Sequence, residues 1–99
     1  MAGVLDGIGV LDLSEGVAGP MATMLLADHG AAVTKIERPG GDPFRSQVGY
    51  RGWQRGKRSA VLDLRVEADR EAFLALSQTA DVVVESFRPG KAQELGVDY

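Results

Sequence analysis

Residues 8–37 read IGVLDLSEGVAGPMATMLLADHGAAVTKIE, and the fold is decided in this stretch. Ile8 to Leu13 is a short β-prone run preceded by glycine, and it reads as a strand. Ser14-Glu15-Gly16 supplies a turn. Ala18-Gly19-Pro20 then opens a helical pattern that runs to about His29, with Met21, Met24, Leu25 and Asp28 at helical spacing and Leu26 widening the apolar face. Proline at a first helical position costs little, because the missing N–H has no partner there. Gly30 suits a helix stop. Ala32 to Glu37 reads as a second strand, with Val33 and Ile36 as its apolar content.

The alternation continues downstream. Arg38 to Lys57 is rich in glycine and proline and has neither a helical nor a strand period, which predicts a long loop that is functional or disordered. Ser59 to Leu64 reads as a third strand. Glu67 to Ala80 reads as a helix with Phe73, Leu76 and Ala80 on one face, and Glu67 and Asp69 suit its positive N-terminal end. Asp81 to Glu85 is a β-branched run of the kind expected in a strand buried on both faces. Ser86 to Gly90 turns, and Lys91 to Leu95 begins a last helix. The order β-α-β-loop-β-α-β-α predicts an α/β fold: βαβ units around a mostly parallel sheet. Four strands leave bare edges, so residues 1–99 are expected to be an incomplete part of a larger domain.

Composition narrows the function classes. Hydrophobic residues make up 44% and charged residues 25%, as in an ordinary globular chain. Without cysteine there is no disulfide framework and no thiolate metal site, which fits a reducing cytoplasm. No basic segment leads into an apolar run at the start, and Met21 to Ala27 is far too short to span a bilayer, so no membrane role is expected. Net charge is −3, yet Lys35 to Arg65 holds eight basic residues against three acids, a window of +5. A basic island on an acidic chain suggests a local anionic ligand rather than nucleic acid. A solvated, ligand-free basic face is the alternative.

In open sheets of this class, ligands sit beyond the carboxyl ends of the strands. The segments there are Ser14 to Pro20, Arg38 to Arg45, Arg65, and Ser86 to Gly90. Gly16 to Pro20 opens a helix whose free N–H groups favour an anion, or it is only a tight turn. Arg38 offers a donor fork for phosphate, or it pairs with Glu37 or Asp42. Tyr50 and Trp53 could stack on a flat ring or anchor the loop on the core. Gly7-Ile8-Gly9 precedes a strand instead of following one, so it is no dinucleotide fingerprint. Gly56-Lys57-Arg58-Ser59 breaks the phosphate-loop order and leads into a strand. His29 stands alone, so no metal site and no Ser-His-Asp arrangement can be built on it.

Read together, these segments resemble the family III CoA transferases (CaiB/BaiF type), which include formyl-CoA and carnitine CoA transferases and α-methylacyl-CoA racemase. The resemblance rests on Leu5-Asp6-Gly7-Ile8, Val10-Leu11-Asp12-Leu13-Ser14, Ala18-Gly19-Pro20 and Ala22 to Asp28. It continues through Lys35 to Asp42, Arg55 to Ser59, Leu62-Asp63-Leu64 and Ala80 to Gly90. It implies a Rossmann-like large domain, of which this chain is the N-terminal CoA-binding part, within a longer protein that forms an interlocked homodimer. By position, CoA or an acyl-CoA, taken as substrate, would be held by Val17, Ala18, Arg38, Leu62, Asp63, Leu64, Arg65, Ser86, Phe87 and Arg88. Its phosphates would account for the basic island, with Arg38, Arg65 and Arg88 as the preferred contacts. Members often carry an arginine where this chain has Glu94, a carboxylate that would repel phosphate.

The implied reaction moves CoA between an acyl-CoA and a small carboxylic acid through an aspartyl mixed anhydride. The resemblance places that aspartate beyond Tyr99, so no residue here is catalytic and no metal is expected. Racemisation next to the thioester is the alternative within the family. A non-catalytic CoA-binding or structural fragment is the alternative outside it.

Overall fold

The computed structural model describes residues 3–97. Four strands form one all-parallel sheet in the order β3-β2-β1-β4: β1 (Gly9–Asp12), β2 (Ala32–Glu37), β3 (Arg58–Val61) and β4 (Val82–Val84). The helices are α1 (Ala18–Asp28), α2 (Tyr50–Trp53), α3 (Glu67–Ser77) and α4 (Lys91–Leu95). Asp12 pairs with Lys35 and with Val84, so the carboxyl ends of β1, β2 and β4 lie level at one edge of the sheet.

Alternation along the strands sorts side chains to two faces. Leu11, Leu13 and Ile36 join Leu64, Phe73 and Leu95 in one cluster, under α3 and α4. Val10 and Val33 join Ala31 on the other face, where Leu26 and Ala27 of α1 pack on them. Lys35, Glu37 and Asp12 share this second face, and all three are buried. The first face is therefore apolar at its carboxyl edge, around Leu13 and Ile36, whereas the other turns ionic there.

Helix α1 begins at Ala18, so Pro20 stands at its third residue and not its first. Proline is tolerated there because the first four helical N–H groups lack intrahelical partners. The first full helical bond runs from Met21 N to Val17 O at 2.9 Å. The helix ends as expected at Gly30. Gly30 N reaches Ala27 O at 3.0 Å and Ala31 N reaches Leu26 O at 3.1 Å, the paired bonds of a Schellman stop. Gly30 has φ +105°, and a Cβ there would lie 2.2 Å from Asp6 Oδ1.

Four expectations change. The third strand ends at Val61, so Leu62 to Leu64 lie beyond it. The long loop contains α2, a four-residue turn of helix anchored by buried Tyr50. Helix α3 stops at Ser77, so Ala80 lies beyond it, and Leu76 is 43% exposed; Phe73 alone of the helix is buried. The run Val82–Val84 is not buried on both faces. As the last strand of the sheet it pairs only with β1, and Val82 and Val83 stay 40% and 41% exposed.

Candidate functional site

The chain leaves each strand at the same edge, and the four exits surround a cleft of about 890 Å³ on the α3/α4 side. Leu13 and Glu15 follow β1, Arg38 and Pro39 follow β2, Leu62 to Arg65 follow β3, and Ser86 to Gly90 follow β4. Lys91, Glu94 and Leu95 of α4 close one wall. The floor is apolar, since Leu13, Ile36, Leu64 and Leu95 are core residues that reach the cleft with one side. The rim is charged, with Arg38, Arg65, Arg88 and Lys91 set among Glu15, Asp63 and Glu94.

Three of the four rim cations are already paired. Arg38 grips Glu15 with two donors, Nε at 2.7 Å from Oε2 and Nη2 on Oε1. This pairing raises the Arg38 pKa above its usual value. Sequence alone offered Glu37 or Asp42 as its partner; Glu37 is instead held by Arg45 and Asp42 by Lys35. Arg65 holds Asp63 through Nε at 3.0 Å and Nη2 at 3.2 Å, and these bonds keep the Asp63 carboxyl below its usual range. Lys91 stands 3.9 Å from Glu94. Arg88 makes no ion pair among the described residues.

Two strand exits are tied together across this rim. Glu15 N donates to Ser86 Oγ at 2.9 Å, and Leu13 N donates to Val84 O at 2.8 Å. Gly90, at φ +86°, turns the chain into α4. The β1 and β4 exits are thus fixed relative to each other at the cleft.

The opposite face carries a closed ionic cluster. Asp12 is fully buried and accepts bonds from Ser14 N at 2.9 Å, Thr23 Oγ1 at 2.6 Å, Lys57 Nζ at 2.9 Å and Ser14 Oγ. Burial works to raise its pKa, but the bonds from Ser14, Thr23 and Lys57 outweigh it and hold the carboxyl below its usual value. Lys57 has three acceptors, Asp12, Pro20 O at 3.0 Å and Gln54 Oε1 at 2.9 Å, which match the three N–H groups of an ammonium. Burial lowers its pKa, and Asp12 opposes the shift. Beside them, Lys35 Nζ donates to Ser14 O at 2.9 Å and pairs with Asp42 at 3.0 Å. Tyr50 donates its hydroxyl to Glu37 at 2.7 Å, and burial raises its pKa.

The basic island is therefore mostly paired within the chain, although only Lys35 and Lys57 are buried. Lys35, Arg38, Arg45, Arg55, Lys57 and Arg65 all pair with carboxylates of this chain. Of the island, only Arg38 and Arg65 reach the cleft.

Eight of the ten residues expected at a binding site line this one cleft: Arg38, Leu62, Asp63, Leu64, Arg65, Ser86, Phe87 and Arg88. Val17 and Ala18 do not; they start α1, where Val17 is 42% exposed. Tyr50 anchors the loop and Trp53 packs on Gly49; neither lines the cleft. Glu94 lines it as feared, and Lys91 beside it was missed. Its place at the start of the last helix, directly after the Ser86–Gly90 turn, was the available signal. Glu15 was inside a strand-exit segment but was not singled out. Among the described residues there is no acidic, histidine or cysteine cluster that could hold a metal ion, and no helix is long and apolar enough to cross a membrane.

Comparison with known proteins gives four concordant matches. Residues 5–99 match the sequence model of CoA-transferase family III. The succinyl-CoA:mesaconate CoA-transferase of Haloarcula hispanica is 49% identical over 98% of this chain, which corresponds to 28% of that protein. A crystal structure of a hypothetical protein from Mycobacterium tuberculosis superposes with a TM-score of 0.95 at 43% identity, covering 98% of this chain and 29% of that one. A CAIB/BAIF family protein from Brucella suis superposes at 0.91 with 36% identity, covering 100% of this chain and 30% of that one. The chain thus spans under a third of the length of the relatives it matches.

Proposed function

The chain belongs to CoA-transferase family III, and from that premise we propose that its cleft holds the nucleotide end of a CoA thioester. The whole protein would then transfer CoA between an acyl-CoA and a small carboxylic acid. In this reading an aspartate outside this chain attacks the thioester carbonyl, forming a mixed anhydride and releasing CoA thiolate. The thiolate then attacks the aspartyl carbonyl of the anhydride, expelling the donor carboxylate and leaving an enzyme-bound CoA thioester. The residues here bind and orient; they do not react. The interlocked homodimer belongs to the same proposal for the longer protein.

The observation that carries the reading is the make-up of the cleft. Four strand exits bring an apolar floor and four cations into one space of about 890 Å³, within the range of small-molecule sites. The floor suits a flat base, and the arginine forks suit phosphate oxygens. The Haloarcula relative is named a CoA-transferase, which favours transfer over racemisation. Titration calorimetry tests the reading. CoA should bind with a heat that weakens as salt rises, and 3′-dephospho-CoA should bind less tightly. Absence of heat with CoA would remove it.

A further inference from the structure

We propose that Glu15 is a positioning residue: its carboxylate holds one edge of the Arg38 guanidinium so that the other edge meets the phosphate of the bound CoA thioester. The proposal rests on the assignment of the cleft to CoA.

The geometry is specific. Arg38 uses Nε and Nη2 for Glu15, which occupies the side of the fork. Both N–H groups of Nη1 and the second one of Nη2 remain for a ligand. The Arg38 side chain is 57% exposed, so without a partner it would sample many rotamers and lose that freedom on binding. Glu15 removes much of that cost beforehand, because its own backbone is held from two sides. Its N–H is on Ser86 Oγ. The preceding residue, Ser14, is fully buried, with its N–H and hydroxyl on Asp12 and its carbonyl on Lys35. The buried ionic cluster therefore sets the place of Glu15, and Glu15 sets the place of Arg38.

A rival role exists for the same carboxylate, as a competitor that occupies the fork until phosphate displaces it. The two roles give opposite signs. Calorimetry with CoA on Glu15→Gln, Arg38→Ala and the double variant separates them. With Arg38 present, Glu15→Gln should weaken CoA binding about fivefold, since orientation is lost. In the Arg38→Ala background the same substitution should strengthen binding by about twofold, since only repulsion between carboxylate and phosphate remains to be relieved. Tighter binding by Glu15→Gln with Arg38 present would overturn the proposal, as would an equal effect in both backgrounds. Failure of the wild-type chain to bind CoA would instead remove the assignment of the cleft. The pairing is then read alone, from hydrogen exchange at Arg38 Nε–H in the ligand-free chain. Exchange should be slower in the wild type than in Glu15→Gln, and equal rates would contradict the positioning role.

Discussion

Beneath α1, Lys57 and Asp12 face each other with every donor of the ammonium engaged and both side chains 2% exposed or less. Across the sheet, beside α4, Arg88 stands at the rim of an open cleft with no carboxylate among the described residues paired to it. The two regions use the same kinds of residue at the same carboxyl edge. What separates them is what faces each charge. On the α1 side the loop from Arg38 to Lys57 folds back, bringing Lys57 to buried Asp12 and Asp42 to buried Lys35. On the α4 side no loop among the described residues covers the edge, and Arg38 and Arg88 keep donors in reserve. Charge density along the chain therefore does not show which cations are free for a ligand; that depends on which carboxylates the fold brings to them.

The comparison breaks most visibly at Lys57. Lys57→Met would leave Asp12 buried and uncompensated, at a cost of about 3–5 kcal/mol. The expected result is loss of a cooperative unfolding transition by circular dichroism; a transition close to the wild type would show the cluster to be dispensable. Acid probes the same region more gently. The folded pKa of Asp12 lies below its ordinary value of 3.8, so its stabilisation is present above that value and is lost as pH falls through the lower folded one. Thermal melts should lose stability below about pH 4, by about 1.4 kcal/mol for each unit of depression, and Asp12→Asn should flatten that slope.

On the cleft side, Arg88→Ala should weaken CoA about tenfold by calorimetry, the equivalent of one strong charge-assisted contact. It should leave the melting temperature unchanged. Arg65→Ala should do least. Its guanidinium is 76% exposed and tied to Asp63 two residues away, so affinity should fall by no more than about twofold. A larger loss at Arg65 than at Arg88 would reverse the ranking drawn from their partners.

Much of the frame was legible in the chain. The bounds of β2 at Ala32 and Glu37 and of α4 at Lys91 and Leu95 follow from glycine and turn residues on either side, which are local signals. Strand-exit reasoning also found most of the cleft, because a parallel sheet brings its exits together whatever their separation in sequence. Pairing was not legible. Lys57 meets Asp12 across 45 positions and Arg38 meets Glu15 across 23, and no local pattern chooses Asp12 over any other acid. The exposure of β4 was missed for a related reason. A run of three valines looks the same at the centre of a sheet and at its edge.

The contrast between the closed cluster and the open cleft is tested most directly by amide NMR during a titration with CoA. Shifts should concentrate at residues 62–65 and 86–91 and at Arg38, with Asp12, Lys35 and Lys57 little changed. Shifts centred on the loop around Tyr50 and Lys57, with the residues after β3 and β4 unmoved, would contradict the assignment of the cleft.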